Sequence, residues 1–268
     1  MWKWEADDAR GVFVLVHGSS EHHGRYEWLI EKWRSEGFHV VMGDLPGHGN
    51  TKNRGHIDSF DEYIETVADW VAEAETYSLP IFLFGHSLGG LVVIRTLMEK
   101  SLPVRGVILS SPCTGLVHPP PKPLKMAAKI ADGALPKLKV RLKSSSENPN
   151  ATRNTERLKK DSEDSLMVKK VSIRWYNELE KAMKLVFESE GKFPDVPLLV
   201  MQAGDDKIVD KHAVRRWFNR LSVTERAYKE WDGLYHEIFN EPERDAVFRH
   251  ALGFMELQLR QFQQSEEV

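Results

Sequence analysis

A polar turn with the sequence GHSLGG, at residues 85–90, interrupts two apolar segments and contains a candidate nucleophile, Ser87. Its Gly-x-Ser-x-Gly pattern directly follows the apolar run at residues 81–84 and directly precedes a helical apolar stripe. This is the strand-turn-helix setting of a nucleophile elbow, in which a serine attacks a carbonyl carbon. Side chains at Gly85 and Gly89 would collide in so tight a turn, which gives these glycines a steric reason. The alternative is an ordinary turn without chemistry.

A serine hydroxyl needs a base to remove its proton and a carboxylate to orient that base. In folds that carry such a nucleophile elbow, the three residues follow one another along the chain in the order serine, acid, histidine. The acidic loop that fits this order is GDDKIVD at residues 204–210, and three histidines lie beyond it. His212 is too close to that loop, and His250 falls within the predicted terminal helix. His236 follows a predicted strand at residues 226–231 and a glycine, so we predict that it is the base rather than a histidine packed under a loop.

The acidic loop offers three carboxylates for the remaining position, namely Asp205, Asp206 and Asp210. Spacing along the chain does not separate the first two. The residue pattern alone therefore predicts a serine, histidine and aspartate arrangement in which the aspartate is unassigned.

Acyl transfer also needs hydrogen-bond donors for the negative charge that develops on the substrate oxygen. The amide of Leu88, directly after the nucleophile, is one candidate. The amide of Ser19 is the second, because it lies in the loop after an early apolar run, where a glycine allows a tight turn. The histidines of that loop suggest a metal site as the alternative, but no cysteine or spaced carboxylate accompanies His17, His22 and His23, and we predict none.

The elements that must position these groups are predicted from hydrophobic patterning. Short apolar runs rich in β-branched residues recur along the chain, at residues 12–16, 40–42, 81–84, 104–109 and 198–201. Each run is too short for a helix and lacks the alternation of a half-exposed strand, which is typical of parallel strands covered on both faces. Amphipathic stretches at residues 26–36 and 59–76 lie between them. Strands alternating with helices predict an α/β fold with a mostly parallel central sheet.

The alternation stops after residue 112 and resumes near residue 197, with a proline-rich stretch and helical stripes between. We therefore predict an α/β core of residues 1–112 and 196–268, with a helical cap of residues 113–195 inserted over the sheet. Residues 122–184 contain sixteen Lys and Arg against eight Asp and Glu, so this part of the chain is basic while the remainder is acidic. Its apolar residues are expected to line a pocket for an acyl chain, namely Leu116, Val117, Leu124, Met126 and Ile130.

The bulk composition narrows the class of protein. The chain has 268 residues, of which 41% are hydrophobic and 29% charged, and this suffices for a sizeable core. One cysteine forms no internal disulfide framework, and the opening MWKWEADDARG lacks the features of a signal peptide, so a cytoplasmic location is predicted. A net charge of -3 does not favour nucleic acid as a partner.

Five motifs in order carry a family resemblance: HGSSEHHGRY, GDLPGHGNT, GHSLGG, GDDKIVD and GLYHEIF. With them the sequence resembles the α/β-hydrolase superfamily from about residue 12 to residue 254, and more narrowly its monoacylglycerol lipase and lysophospholipase group, bacterial members included. The resemblance implies Asp206 as the acid, because the family's aspartate precedes a basic residue and two apolar ones. It likewise implies Ser87 as nucleophile, His236 as base, and the amides of Ser19 and Leu88 as oxyanion donors.

The resemblance also implies an activity. A lipid carboxylic ester is the expected substrate, with monoacylglycerol cleaved to fatty acid and glycerol and lysophospholipid as the next alternative. Thioester hydrolysis, general carboxylesterase activity and a non-catalytic binding role are the other readings of the same scaffold. No metal or organic cofactor is implied. The basic insertion is expected to favour peripheral contact with anionic membrane surfaces, and no motif indicates an oligomeric state.

Overall fold

The computed structural model describes residues 1–141 and 149–266, and for residues 262–266 it describes the backbone alone. Within these residues the chain forms nine strands: β1 (Trp2–Trp4), β2 (Gly11–Val16), β3 (Phe38–Met42), β4 (Ile81–His86), β5 (Val104–Ser110), β6 (Lys139–Arg141), β7 (Lys170–Ser172), β8 (Leu198–Ala203) and β9 (Arg226–Trp231). The described residues also form eight α-helices: α1 (Glu27–Ser35), α2 (Asp61–Glu75), α3 (Leu88–Glu99), α4 (Lys122–Ala134), α5 (Thr155–Glu163), α6 (Ile173–Glu188), α7 (Lys211–Arg220) and α8 (Arg244–Glu266).

The central sheet has seven strands in the order β1-β3-β2-β4-β5-β8-β9. All its neighbouring pairs are parallel except β1 with β3, which confirms the predicted mostly parallel sheet. The strands β2, β4 and β8 are buried along their full length, as their continuous apolar runs require when helices cover both faces.

Two buried clusters cover the two faces of the sheet, and alternate residues of β2 belong to different clusters. Val12 and Val14 pack with apolar residues of α2, α3 and α6 on one face. Phe13 and Leu15 pack with those of α1 and α8 on the other. This alternation follows from the two-residue period of a strand. The result is a rigid sheet whose carboxyl edge carries the loops discussed below.

Three strands were not predicted. β1 is a short antiparallel edge strand beside β3, and β6 pairs with β7 in a separate two-stranded antiparallel sheet. The interval predicted to contain helices alone therefore also contains a small sheet. Each of these strands has only three residues, and so short a segment is defined by its pairing partner rather than by its own pattern.

Between β5 and β8 the chain adds α4, α5, α6 and the small sheet; we refer to residues 113–195 as the insertion. Helix α6 buries Trp175 and Leu179 in the main core, and the indole of Trp175 donates a hydrogen bond of 2.7 Å to the hydroxyl of Tyr63 in α2. Helix α4 buries no residue. Part of the basic stretch predicted at residues 122–184, namely residues 142–148, lies outside the described residues.

The expectation that five apolar residues of the insertion line a pocket is mostly wrong. Leu124, Met126 and Ile130 on α4 are 59%, 61% and 73% exposed. They point to solvent because α4 contacts α6 through its polar side, where Lys125 pairs with Glu180. Among the helices of the described residues, none combines the length and apolar character that a bilayer span requires.

Candidate active site

Ser87 stands in the turn between β4 and α3 with a backbone φ of 50° and ψ of -115°. A residue other than glycine rarely adopts a positive φ, and such strain is characteristic of functional turns. Two backbone hydrogen bonds of 2.9 Å hold the turn, from the Ser87 amide to the Ser110 carbonyl and from the Cys113 amide to the Ser87 carbonyl. The strain at Ser87 is therefore supported by β5 and by the start of the insertion.

The glycines of the turn are sterically required, as predicted. A Cβ at Gly85 would lie 2.6 Å from the carbonyl oxygen of Gly89. A Cβ at Gly89 would lie 2.1 Å from the carbonyl oxygen of Val16 and 2.5 Å from that of His17. All three are backbone atoms, one in α3 and two at the end of the central strand β2, so they have little freedom to move away.

We expect Gly89→Ala to lower the free energy of unfolding by about 3 kcal/mol or more, since the new methyl group overlaps fixed backbone atoms. Urea denaturation followed by circular dichroism measures this change. Gly253→Ala is the matched control, because Gly253 lies in α8 with no atom within 4 Å of an added Cβ. There the helix propensity of alanine should raise stability by about 0.5 to 1 kcal/mol. Equal stability of the two variants would contradict the steric argument.

The structure brings Ser87, His236 and Asp206 together in one hydrogen-bonded chain. The Nε2 atom of His236 lies 2.8 Å from Oγ of Ser87. Its Nδ1 atom lies 2.8 Å from Oδ2 of Asp206. Both separations are normal for a hydrogen bond, and the order of contacts is that of a nucleophile, a base and an orienting acid. Both partners of the Asp206 contact are buried, with side-chain exposures of 4% for His236 and 0% for Asp206.

The electrostatic surroundings of these three hydrogen-bonded residues favour an ionised Asp206. Burial by itself raises the pKa of Asp206, but His236 and the backbone amides of Ile208 and Val209 lower it below its usual value overall. Burial likewise lowers the pKa of His236, and the Asp206 carboxylate raises it above the usual value overall. A buried carboxylate thus stabilises the protonated imidazole that forms when a base accepts a proton.

The residues that compete for these positions lie elsewhere. Asp205 is exposed, and Asp210 caps α7 by accepting a hydrogen bond of 2.9 Å from the His212 amide. His250 is exposed on α8. None of them contacts Ser87 or His236 through a side-chain hydrogen bond in the described part of the chain. The sequence analysis did not identify Gln202 as a residue of the site. Its side-chain amide donates a hydrogen bond of 3.0 Å to Asp206.

The two predicted oxyanion donors, Ser19 and Leu88, both line the pocket above Ser87. Leu88 is the first residue of α3, so its amide belongs to the first turn, where amides have no partner within the helix. The loop that carries Ser19 is held by Glu21, whose carboxylate accepts a hydrogen bond of 2.9 Å from the Gly18 amide. His17 also holds it: Nε2 accepts from the Leu45 amide at 2.9 Å, so Nδ1 donates to the Gly18 carbonyl at 2.8 Å.

The pocket has a volume of about 310 Å³ and is lined by two kinds of residue. One side is apolar, formed largely by the insertion, and includes Leu116, Trp175, Tyr176 and Leu179. The other side contains the polar groups described above and the exposed Lys207. Of the five apolar residues expected to line it, only Leu116 does so. The half-apolar, half-polar lining is typical of sites for small amphipathic ligands.

One cluster has the composition of a metal site within the described chain. One ligand atom from each of His22, His23 and Asp44 lies within 4.8 Å of the others. These atoms already have protein partners, since His23 Nδ1 lies 2.8 Å from Asp44 and His22 Nε2 lies 2.7 Å from Asp164. None of the three lines the pocket at Ser87. The tertiary structure thus brings a carboxylate, Asp44, beside two of these histidines, which the spacing of residues along the chain did not indicate.

Sequence reasoning missed a group of charged residues beside the site. Glu21 and Glu237 line the pocket, and both form ion pairs with the buried Arg25. The sequence does place these residues next to predicted site residues, because Glu21 and Arg25 belong to the HGSSEHHGRY motif and Glu237 follows His236. The pairing of Arg25 with Glu237 was not predictable, since these two residues lie 212 positions apart, whereas Glu21 is only four residues from Arg25.

Comparisons with known proteins identify the family of this chain. A family model described as Hydrolase_4, serine aminopeptidase S33, matches residues 7–243. Phospholipase YtpA of Bacillus subtilis is 53% identical over 256 residues, covering 95% of this chain and 98% of that protein. A monoacylglycerol lipase of Mycolicibacterium smegmatis is 28% identical, covering 91% and 88%.

Solved structures give the same answer for the fold. The crystal structure of the monoacylglycerol lipase of Paleococcus ferrophilus has a TM-score of 0.85 and 32% identity, and the match covers 97% of each chain. The family model matches most of the chain, and the B. subtilis relative is more than 50% identical over almost all of it. The chain therefore belongs to the Hydrolase_4 family of α/β-hydrolases, in its monoacylglycerol lipase and lysophospholipase group.

Proposed function

We propose that this chain is a serine hydrolase of lipid carboxylic esters, with monoacylglycerol as its main substrate and fatty acid and glycerol as products. The observation that carries the proposal is the hydrogen-bonded chain from Ser87 through His236 to Asp206, beside a pocket with one apolar side. Membership of a lipase-containing hydrolase family supports ester hydrolysis.

In the proposed mechanism His236 removes the proton of the Ser87 hydroxyl while its oxygen attacks the ester carbonyl carbon. The amides of Ser19 and Leu88 stabilise the oxyanion of the tetrahedral intermediate. His236 then gives its proton to the departing glycerol oxygen, and an acyl-enzyme remains. Water activated by His236 attacks this ester, releases the fatty acid and restores the Ser87 hydroxyl. Asp206 keeps the imidazole in the required tautomer throughout.

The acyl chain is proposed to lie against the apolar side of the pocket, under residues 113–195 acting as a cap. Support comes from Leu116, Trp175 and Leu179, which place apolar surface beside Ser87. The pocket lining does not favour a peptide substrate. Its two carboxylates, Glu21 and Glu237, already pair with Arg25, so the ammonium group of a peptide would have to compete with that arginine for them.

A side-by-side rate comparison tests the proposal. Monoacylglycerols, lysophosphatidylcholine, a short p-nitrophenyl ester and an amino-acid p-nitroanilide would be compared at one pH. We expect the monoacylglycerols to have the highest kcat/KM and the anilide to be inert. A short ester preferred by orders of magnitude would overturn the lipid assignment and leave the hydrolase assignment standing.

Lysophospholipid is the second candidate substrate, and Lys207 favours it. This exposed lysine lines the pocket, with its ammonium group 2.9 Å from the Tyr235 hydroxyl and 4.1 Å from the centre of the Tyr235 ring. It can offer further donors to a phosphate group at the mouth. The similarity to a phospholipase at 53% identity supports the same reading. A kcat/KM for lysophosphatidylcholine above that for monoacylglycerol would reverse the order of the two candidates.

We also propose that α4 contacts anionic membrane surfaces. Leu124, Met126 and Ile130 expose apolar surface on this helix, which begins two residues after Pro120 in the pocket lining. Lys122 and Lys129 lie on the same helix. Exposed apolar side chains beside lysines are the pattern of a helix that lies in a membrane interface. Such contact would place the pocket mouth next to a lipid substrate.

For the variant Leu124→Glu with Ile130→Glu, we expect affinity for phosphatidylglycerol vesicles to fall at least about tenfold. Burial of each apolar side chain contributes about 1.5 to 3 kcal/mol, and the new carboxylates are repelled by anionic lipid. Vesicle sedimentation at low and high salt measures binding, and hydrolysis of a short soluble ester should be unchanged. Leu257→Glu is the matched control, because this leucine of α8 is also more than half exposed. Wild-type binding that ignores both anionic lipid and salt would rule out this contact.

A further inference from the structure

The guanidinium of Arg25 is shared by three carboxylates from three separate segments of the chain. Nε and Nη2 bind Asp161 of α5 at 2.9 and 2.5 Å, and Nη2 also binds Glu237 at 3.0 Å. Nη1 binds Glu21, which lies four residues earlier in the chain. No side chain in this cluster is more than 3% exposed. We call these four residues the Arg25 cluster.

Two carboxylates of the Arg25 cluster also support parts of the candidate active site. Glu21 accepts hydrogen bonds from the Gly18 amide at 2.9 Å and from the Tyr26 hydroxyl at 2.7 Å, which holds the turn that presents the Ser19 amide. Glu237 directly follows His236, and its own amide donates to the Ala151 carbonyl of the insertion at 2.9 Å. One arginine thus links the oxyanion loop and the loop of the base.

The third carboxylate links this pair to the insertion. Asp161 makes two hydrogen bonds with Arg25 and accepts another from Arg157 at 2.8 Å. Other contacts join the same region to the core, such as the Val168 amide to the Ser20 carbonyl at 3.0 Å. Docking of α5 therefore completes the set of ligands around Arg25.

The charges in the Arg25 cluster make its members interdependent. Three buried carboxylates surround one guanidinium, and a buried carboxylate that loses its cation is strongly destabilised. Burial raises the pKa of Glu237 above its usual value although Arg25 opposes this effect. If Asp161 were removed, Arg25 would be free to move toward Glu21 or Glu237, and the two loops would shift relative to each other.

We propose that Arg25 is a positioning residue, through which docking of α5 sets the relative placement of His236 and the Ser19 amide. This inference rests on the proposed function, because it assigns Arg25 and Asp161 a role in ester hydrolysis. Both residues act indirectly, without contacting the substrate. Asp161 is the residue of the insertion that transmits the docking. A well-folded enzyme with a misplaced base and oxyanion donor would bind substrate and turn it over slowly.

The test measures kcat and KM of Asp161→Asn with a short soluble p-nitrophenyl ester. We expect kcat to fall about tenfold to a hundredfold with KM nearly unchanged, because a small displacement of reacting groups has effects of this size. The rate of fluorophosphonate labelling of Ser87 should fall in parallel. Asp132→Asn is the control, since it breaks an ion pair with Arg174 between α4 and α6 inside the insertion, and its kcat should stay close to that of the wild type.

Glu237→Gln gives an independent variant, because it keeps the shape of the side chain and removes its charge. It too should lower kcat more than KM. If both substitutions act through Arg25, the loss in the double variant will be smaller than the product of the single losses. Circular dichroism at the assay temperature establishes that each variant is folded, and Glu237→Gln decides the matter if Asp161→Asn does not fold.

Unchanged kcat and labelling rate in folded Asp161→Asn and Glu237→Gln would overturn the inference, and would mean that the Arg25 cluster serves stability alone. A wild-type protein that hydrolyses no ester would instead overturn the proposed function. The two failures are therefore distinguishable in one set of measurements.

Discussion

Replacing Ser87 with alanine is expected to lower kcat for ester hydrolysis by about 10⁴ to 10⁶-fold, the loss seen when a hydrolase loses its nucleophile. The hydroxyl oxygen lies 2.8 Å from His236 Nε2, and alanine offers no atom in its place to form the acyl-enzyme. The residual rate should be that of water attacking a bound ester. Initial rates with a short p-nitrophenyl ester and with monoacylglycerol measure the change.

Fluorophosphonate labelling provides the second readout for Ser87→Ala. The reagent forms a covalent bond with an activated serine, so labelling should be rapid in the wild type and absent in the variant. Ser35→Ala, at an exposed serine at the end of α1, is the control and should label normally. If Ser87→Ala retained a large fraction of wild-type turnover, the serine hydrolase mechanism would be wrong for this chain.

Asp206→Asn is expected to lower kcat by about 10³ to 10⁴-fold through the wrong histidine tautomer. Oδ1 of Asp206 accepts hydrogen bonds of 2.9 Å from the amides of Ile208 and Val209. In the variant the amide oxygen must keep this position, so the NH₂ group faces His236. Nδ1 of His236 would then accept a hydrogen bond, and its Nε2 would carry the proton and be unable to remove one from Ser87.

The pH profile of Asp206→Asn supplies a readout that a loss of stability would not produce. In the wild type the Asp206 carboxylate holds the pKa of His236 above its usual value despite burial. Activity falls as pH drops through that pKa, because a protonated imidazole is not a base. Without the carboxylate the pKa of His236 falls, so the acid limb of kcat/KM should move to lower pH.

Asp205→Asn is the matched control for that experiment. Asp205 is the adjacent residue of the same loop, it is exposed, and its side chain has no hydrogen bond to His236. Its substitution should leave kcat and the acid limb close to those of the wild type. A larger loss in Asp205→Asn than in Asp206→Asn would mean that the two carboxylates have been assigned in the wrong order.

Much of the fold was predictable because its determinants are local. A strand buried on both faces must be continuously apolar, so the runs that became β2, β4 and β8 were visible in the sequence. Gly85 and Gly89 were visible for the same kind of reason, since the tight turn excludes a Cβ at either position. The three-residue strands and the outward orientation of α4 were not predictable, because they depend on what packs beside them.

The residues of the candidate site were likewise only partly predictable from the sequence. The rule that histidine follows the acid in this fold was enough to select His236 from eleven histidines. Residue pattern did not separate Asp205 from Asp206, and only the family resemblance preferred Asp206. The Arg25 cluster went unpredicted, since Asp161 and Glu237 lie 136 and 212 residues from Arg25 along the chain.

By itself, the sequence determined the alternation of the buried parallel strands with helices, the strained serine turn and the residue types available for acyl transfer. It could do so because each depends on the size, polarity or backbone freedom of neighbouring residues. Only the tertiary structure decided which carboxylate meets His236, which face of α4 meets solvent and which acids share Arg25. Those outcomes depend on how β4, β8 and β9 align at one edge of the sheet, which brings groups distant in the chain to within 3 Å of one another.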